Sequence, residues 1–268
     1  MKRTRGDVMS ARFVIIAGIL GALLVGCAEN RSSFFIQQFQ VVSEDCEATS
    51  DSTGASHTYG ILDVGFKWEY SIAPLLVNQM SPIANSENFL VETNSVQVEG
   101  ANIRIWRGGR AQGNPFYEFY QPAVSFVPPS STTVTSFVGM PRQAVSALLQ
   151  YAIGIPPEEL TFNDMLGYRD LITIGVTMLG TTTGGQEVET PEFYFPIHLC
   201  FGCRVICPAE SRDEETSMYC EAADAPEEAG CSELLGQDYS IDCRWCATAF
   251  GPEEGPALCR QYFCGIGD

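Results

Sequence analysis

The sequence predicts a mainly β fold: a β-sandwich, immunoglobulin-like or similar, with one inserted helix, followed by a small disulfide-rich irregular module. Three observations predict it. Apolar residues alternate with polar ones through much of residues 95–199, the pattern of half-buried strands. One segment between Pro141 and Gly154 switches to a helical period. Nine cysteines crowd into residues 200–268, a density above the roughly 8–10% that marks a cross-linked scaffold.

The strands are read in turn. Ser95 to Trp106 places Val96, Val98, Ile103 and Ile105 in alternation, broken at Glu99-Gly100-Ala101, where a bulge or tight turn is expected. Asn114 to Val127 is rich in aromatic and β-branched residues and stops at Pro128-Pro129. Its cluster Phe116, Tyr117, Phe119 and Tyr120 is read as both faces of a central strand, with a stacking platform as the functional alternative. Leu171 to Leu179, a turn at Thr183-Gly184-Gly185-Gln186 and Val188 to Leu199 form a hairpin. Tyr59 to Tyr70, Ala73 to Val77 and Phe89 to Glu92 are weaker strands. About seven short strands in this span is the density of a sandwich.

The helix starts where Pro141 suits a first turn and ends where Gly154 suits a C-terminal cap. Ala144, Val145, Leu148, Leu149 and Ala152 share one face, which is expected to cover an open end of the sandwich.

The chain of 268 residues carries a net charge of −18. Phosphate repels such a polyanion, so no nucleic-acid partner is expected. Charge-driven binding to anionic lipid is disfavoured for the same reason.

The N-terminus sets the expected compartment. Lys2, Arg3, Arg5 and Arg12 precede an apolar run from Phe13 to Val25. That run is too short for a comfortable permanent span and reads as a signal peptide. It ends in Leu24-Val25-Gly26-Cys27. This tetrapeptide resembles the lipobox of bacterial lipoproteins, which carry a type II signal peptide. The resemblance implies a diacylglycerol thioether at Cys27, cleavage before it and acylation of the new amino terminus. More than one acyl chain gives stable anchoring. The overall pattern, a strand-rich body and a cysteine-rich tail, also resembles lipoproteins of myxobacterial genomes. Ala28 rather than Asp follows the cysteine, which by the enteric rule favours the outer membrane. The domains are then residues 1–26 as signal, 27–34 as lipidated tether, 35–199 as body and 200–268 as tail. Loss of the signal leaves 11 basic and 32 acidic residues.

Without Cys27, ten cysteines remain: Cys46, Cys200, Cys203, Cys207, Cys220, Cys231, Cys243, Cys246, Cys259 and Cys264. An even number in an exported chain reads as a disulfide framework. Nine of them lie in the tail, so Cys46 is expected to reach across to it. The rest of the connectivity stays open.

Chemistry is sparsely supplied. Cys200-Phe201-Gly202-Cys203 and Cys243-Arg244-Trp245-Cys246 are Cys-x-x-Cys pairs. The gap between them is long for a zinc ribbon, and no βαβ pattern surrounds either as a redox motif would require. His57 is read as part of a flexible connector and His198 as a strand residue. Glu158-Glu159 and Glu187/Glu189 are read as solvated faces. No nucleophile elbow, phosphate loop or Ca²⁺ loop is visible, so no catalytic residue, metal or cofactor is expected. The reading is a lipid-anchored envelope protein with a binding or structural role. Its partners are the membrane through Cys27 and an envelope protein or glycan. The alternatives are an exported thiol-redox or metal-dependent enzyme using the Cys-x-x-Cys pairs, and a cysteine-rich inhibitor-like module.

Overall fold

The computed structural model describes residues 33–43, 45–83, 91–211, 220, 231 and 235–264. Cys27, the signal segment and most of the tether lie outside the described residues. So do Phe89 and Leu90 of the expected strand at Phe89 to Glu92, whose described residues Val91 and Glu92 are not in a strand.

The described chain is mainly β. In order, its strands are β1 (Phe34–Gln40), β2 (Ser56–His57), β3 (Gly60–Asp63), β4 (Tyr70–Ile72) and β5 (Pro74–Asn78). Next come β6 (Val96–Arg107), β7 (Tyr117–Val127), β8 (Ser131–Val134) and β9 (Phe137–Met140). After helix α1 (Arg142–Ile153) and the short α2 (Phe162–Met165) follow β10 (Arg169–Thr182), β11 (Glu187–Glu189) and β12 (Phe193–Cys200). The tail adds β13 (Val205–Ile206), β14 (Ile241–Asp242), α3 (Cys246–Phe250) and α4 (Gly255–Tyr262).

Two sheets dominate. One runs β2-β1-β5-β8; the other runs β3-β12-β10-β6-β7, with β11 also on β10. Alternation assigns their faces. Along β6, Val96, Val98, Ile103 and Ile105 are buried, while Gln97 and Glu99 are exposed. The buried phase changes at a register shift between Val98 and Gly100. Gly100 is required there because a Cβ would stand 2.3 Å from the Tyr120 hydroxyl, and that hydroxyl donates to the Glu99 carbonyl at 2.9 Å. Phe34 and Phe39 of β1, Leu76 of β5 and the inward residues of the larger sheet meet in one hydrophobic cluster.

Several expectations need correction. β1 begins at Phe34, placed with the tether above, and Phe34 is buried in the core. Tyr59 to Tyr70 is not one strand: β3 ends at Asp63 and a turn leads to β4. β7 is an edge strand, not a central one. Its Tyr117 and Phe119 pack toward the core, and Tyr120 faces outward. In α1, Ala144, Val145, Leu148 and Leu149 are buried but Ala152 is exposed. Gly154 closes the helix in the left-handed region at φ 81°. The tail is not wholly irregular, since it contains α3 and α4.

The described residues from Ser33 onward form one compact unit, with the tail built into the body. Rings from both parts interlock: Phe162 of the body meets Phe201, Phe250 and Phe263 of the tail at centroid distances of 5.1–5.7 Å. No helix among the described residues is long and apolar enough to cross a membrane.

Ile103 is fully buried between Val176 of β10 and Phe119 of β7. Ile103→Ala should cost about 2–5 kcal/mol by leaving a cavity that the sheet cannot close. A drop in the urea midpoint at unchanged slope is the expected result.

Candidate functional site

The chemistry-bearing residues gather along β3, at the edge of the larger sheet. β3 pairs in parallel with β12, setting Ile61 beside His198 and Asp63 beside Cys200. On the far side of β12, Leu171 lies beside His198 and Arg169 beside Cys200. The row Asp63–Cys200–Arg169 therefore crosses three strands, and lateral neighbours in such a row have Cβ atoms about 5 Å apart.

The open edge of β3 is covered by the tail. Asp63 N–H donates to the Gly236 carbonyl at 2.7 Å, and Asp238 N–H donates to the Ile61 carbonyl at 2.9 Å. This extends the sheet and removes an exposed edge, which would otherwise invite pairing with another chain.

Asp63 is fully buried. Its Oδ1 accepts from Gly65 N–H at 3.1 Å and Gly202 N–H at 2.8 Å; Oδ2 accepts from Arg204 N–H at 3.0 Å. Burial pushes its pKa above the ordinary carboxylate value, and the three N–H groups hold it back. The carboxyl thereby shapes the loop that leaves β12. Gly202 sits at φ 70°, and a Cβ there would come 2.1 Å from the Phe263 ring, so no other residue fits without displacing that ring.

This loop is the first Cys-x-x-Cys pair, and Cys200 and Cys203 are bonded to each other. Cys200 is buried and Cys203 is exposed. Cys203 opens on a surface cleft of about 700 Å³, lined also by Tyr59, His198, Arg169 and Leu171. The cysteine sulfurs and an Asp63 oxygen lie within 4.8 Å of one another.

The second Cys-x-x-Cys pair is divided between two bridges: Cys243 bonds Cys220 and Cys246 bonds Cys259. Cys207 bonds Cys264, and Cys46 bonds Cys231 across 185 residues. The two Cys-x-x-Cys motifs thus do not converge as a ribbon-type ligand set. The sulfurs that do converge belong to Cys207, Cys220, Cys243 and Cys264, within 4.8 Å of one another, and they are joined as two bridges.

A second arrangement lies on the other side of the seam. Asp238 adopts φ 60°, and its Oδ1 accepts from Ile61 N–H at 2.7 Å. Its Oδ2 accepts from the Tyr70 hydroxyl at 2.6 Å, with His57 Nε2 3.8 Å away. His57 is therefore held in β2 against a carboxylate, in place of the flexible connector expected. Gln237 clamps Ser71, accepting from its N–H at 2.8 Å and donating to its carbonyl at 2.7 Å. The Tyr239 hydroxyl donates to the Val42 carbonyl. These residues enclose a cavity of about 10 Å³, space for a single water and no substrate. Burial raises the Asp238 pKa, while the Tyr70 hydroxyl and the neighbouring His57 oppose the rise.

The remaining acidic residues stand apart. Glu158 and Glu159 are exposed in a turn at Pro157–Glu159. Glu187 and Glu189 line a surface hollow of about 520 Å³ together with Glu99. Sequence reading missed Asp63, Tyr70 and Asp238 altogether. Asp63 ends a strand before a Val-Gly turn, but nothing local shows that backbone N–H groups from residues 202 and 204 will meet it.

No protein-family model matches the chain, and no curated protein matches it significantly. Two solved structures show a slight likeness. A protein from Archaeoglobus fulgidus is 13% identical at a TM-score of 0.30, covering 52% of this chain and 90% of its own. A protein from Arabidopsis thaliana is 11% identical at a TM-score of 0.30, covering 66% of this chain and 91% of its own. Likenesses of this size transfer no site.

A carboxyl whose pKa is higher in the fold than in the unfolded chain binds its proton more tightly when folded. Its contribution is present at low pH and is lost as pH rises through the raised value. Asp238 should therefore lower stability as pH climbs above its ordinary 3.8. Asp238→Asn should flatten that part of the curve, read as a smaller fall in urea midpoint between about pH 4 and about pH 7.

Proposed function

We propose that this chain is a lipid-anchored protein of the bacterial cell envelope, held in the outer membrane through Cys27, with a binding or structural role. One observation carries the reading: all ten cysteines other than Cys27 are joined in five bridges. Such a density of bridges belongs to an oxidising compartment outside the cytoplasm. The lipobox-like Leu24-Val25-Gly26-Cys27 supplies the means of attachment.

In this reading the two large sheets are the layers of a β-sandwich of immunoglobulin-like type, supported by the single core that their buried faces share. The body presents a surface rather than a deep pocket. On the outward face of β7, Tyr120 is 50%, Val124 84% and Phe126 52% exposed. An apolar row on an edge strand is the kind of surface that natural proteins keep when something is bound there.

The test is the intact mass of the full-length product isolated from bacterial membranes. The expected species begins at Cys27, carries added lipid and is about 10 Da lighter before reduction than after, two hydrogens for each bridge. Cys27→Ser should move the protein to the soluble fraction. An uncleaved, unlipidated chain would remove the anchoring reading.

A further inference from the structure

We propose that the Cys200–Cys203 bond is a thiol–disulfide exchange site, accepting two electrons from a dithiol that enters the cleft beside Cys203, while the other four bridges hold the fold. This goes beyond anchoring and does not depend on Cys27 being lipidated.

Three features suit this bond to exchange, and the first separates it from the others. The first is how little chain it closes. Cys200 and Cys203 are 3 residues apart, against 13, 23, 57 and 185 for the other pairs. In the chain-entropy picture, a bridge restricts the unfolded state less as its loop shortens. This one therefore contributes least to stability and is the least costly to open. The loop also has other fastenings. Asp63 holds the N–H groups of Gly202 and Arg204, and Phe201 is packed among the rings of Phe162, Phe250 and Phe263.

The second is access. Both cysteines line the cleft, but Cys203 is exposed and Cys200 is buried. Attack on the accessible sulfur leaves the covered one as leaving group. Exchange requires this asymmetry to proceed in one order. Cys246–Cys259 and Cys220–Cys243 have both cysteines buried; Cys46–Cys231 also joins an exposed cysteine to a buried one, but it spans 185 residues and ties the tail to the body.

The third is the charge environment. Arg169 neighbours Cys200 on β10 and lines the cleft that holds Cys203. A guanidinium beside a sulfur favours the thiolate. On the opposite side of Cys200 stands Asp63, a buried carboxyl whose burial favours its protonated form. Arg169 and Asp63 thus flank Cys200 from the two neighbouring strands, and Arg169 also lines the cleft.

One thiol of the incoming dithiol loses its proton to solvent, and its thiolate attacks Cys203 Sγ. The Cys200–Cys203 bond breaks, a mixed disulfide forms at Cys203, and the electron pair leaves on Cys200 Sγ. The Cys200 thiolate is then protonated by solvent. The second thiol of the dithiol loses its proton to solvent and attacks its partner sulfur in the mixed disulfide. Cys203 is released as thiolate and is protonated by solvent. The dithiol is oxidised to a disulfide, and the cysteine pair is reduced to two thiols.

The experiment uses the full chain in its folded, oxidised state. Dithiothreitol is added in steps, new thiols are trapped with N-ethylmaleimide, and the labelled cysteines are mapped by mass. Cys200 and Cys203 should be labelled more than about tenfold faster than any other pair, with the circular dichroism spectrum unchanged. Simultaneous opening of all bridges, earlier opening of another bridge, or unfolding with the first one would overturn the proposal. Arg169→Gln gives a second readout on the same folded protein. The pH profile of Cys203 labelling after reduction should move to higher pH, with the urea midpoint retained. An unmoved profile would remove Arg169 from the site as a positioning residue. Full labelling selectivity on an unlipidated chain would leave this inference standing and the anchoring reading fallen.

Discussion

The rest of the structure depends on one buried carboxylate accepting three backbone N–H groups. Asp63 ends the edge strand of the larger sheet, and its oxygens hold Gly65, Gly202 and Arg204. A carboxylate taken out of water costs several kcal/mol unless its lone pairs are satisfied. Here they are satisfied by the loop that carries Cys200 and Cys203. The turn after β3 and the exit from β12 are thereby locked to each other. The tail can then return along β3, where Gly236 and Asp238 complete the backbone pairing.

That return solves two problems at once. The edge of the large sheet is covered, so its unpaired N–H and C=O groups do not offer a template to another chain. The tail, rich in acidic residues and poor in apolar ones, gains a core that it could not build alone. Its rings at Phe250 and Phe263 close over Phe201 and Phe162. Its polar residues Gln237 and Asp238 find partners in Ser71 and Tyr70. The Cys46–Cys231 bridge adds a covalent link across 185 residues, and long loops are where a bridge restricts the unfolded chain most. The other four bridges join separate elements across 13 to 185 residues, whereas Cys200–Cys203 closes only its own loop. This difference separates a staple from a bond that can open.

Much of the body was legible along the chain. The alternation in Ser95 to Trp106 identified β6 and even its interruption, because a bulge must appear where period-two burial changes phase. Pro141 and Gly154 bracketed α1 because each residue has a backbone preference that acts locally. The edge position of β7 was not legible, since aromatic alternation looks the same in a central strand and an edge strand. β1 was not read as a strand, because the alternation of Phe34 and Ile36 breaks at a register shift before Phe39.

The sequence by itself determined the strand-rich body, the single amphipathic helix, the cysteine-dense tail and an odd tail count that required Cys46 as an outside partner. These follow from local periodicity, turn chemistry and parity, which need no third dimension. Only the tertiary structure decided which cysteines pair and that one Cys-x-x-Cys motif closes on itself while the other is shared between two bridges. It also decided that Asp63 and Arg169 flank Cys200, and that His57, Tyr70 and Asp238 meet. Parallel pairing of β3 with β12 and the return of the tail bring these residues together from positions as far apart as 57 and 238. Contacts at that separation depend on which strands become neighbours, and local preference carries no information about neighbours so distant in the chain.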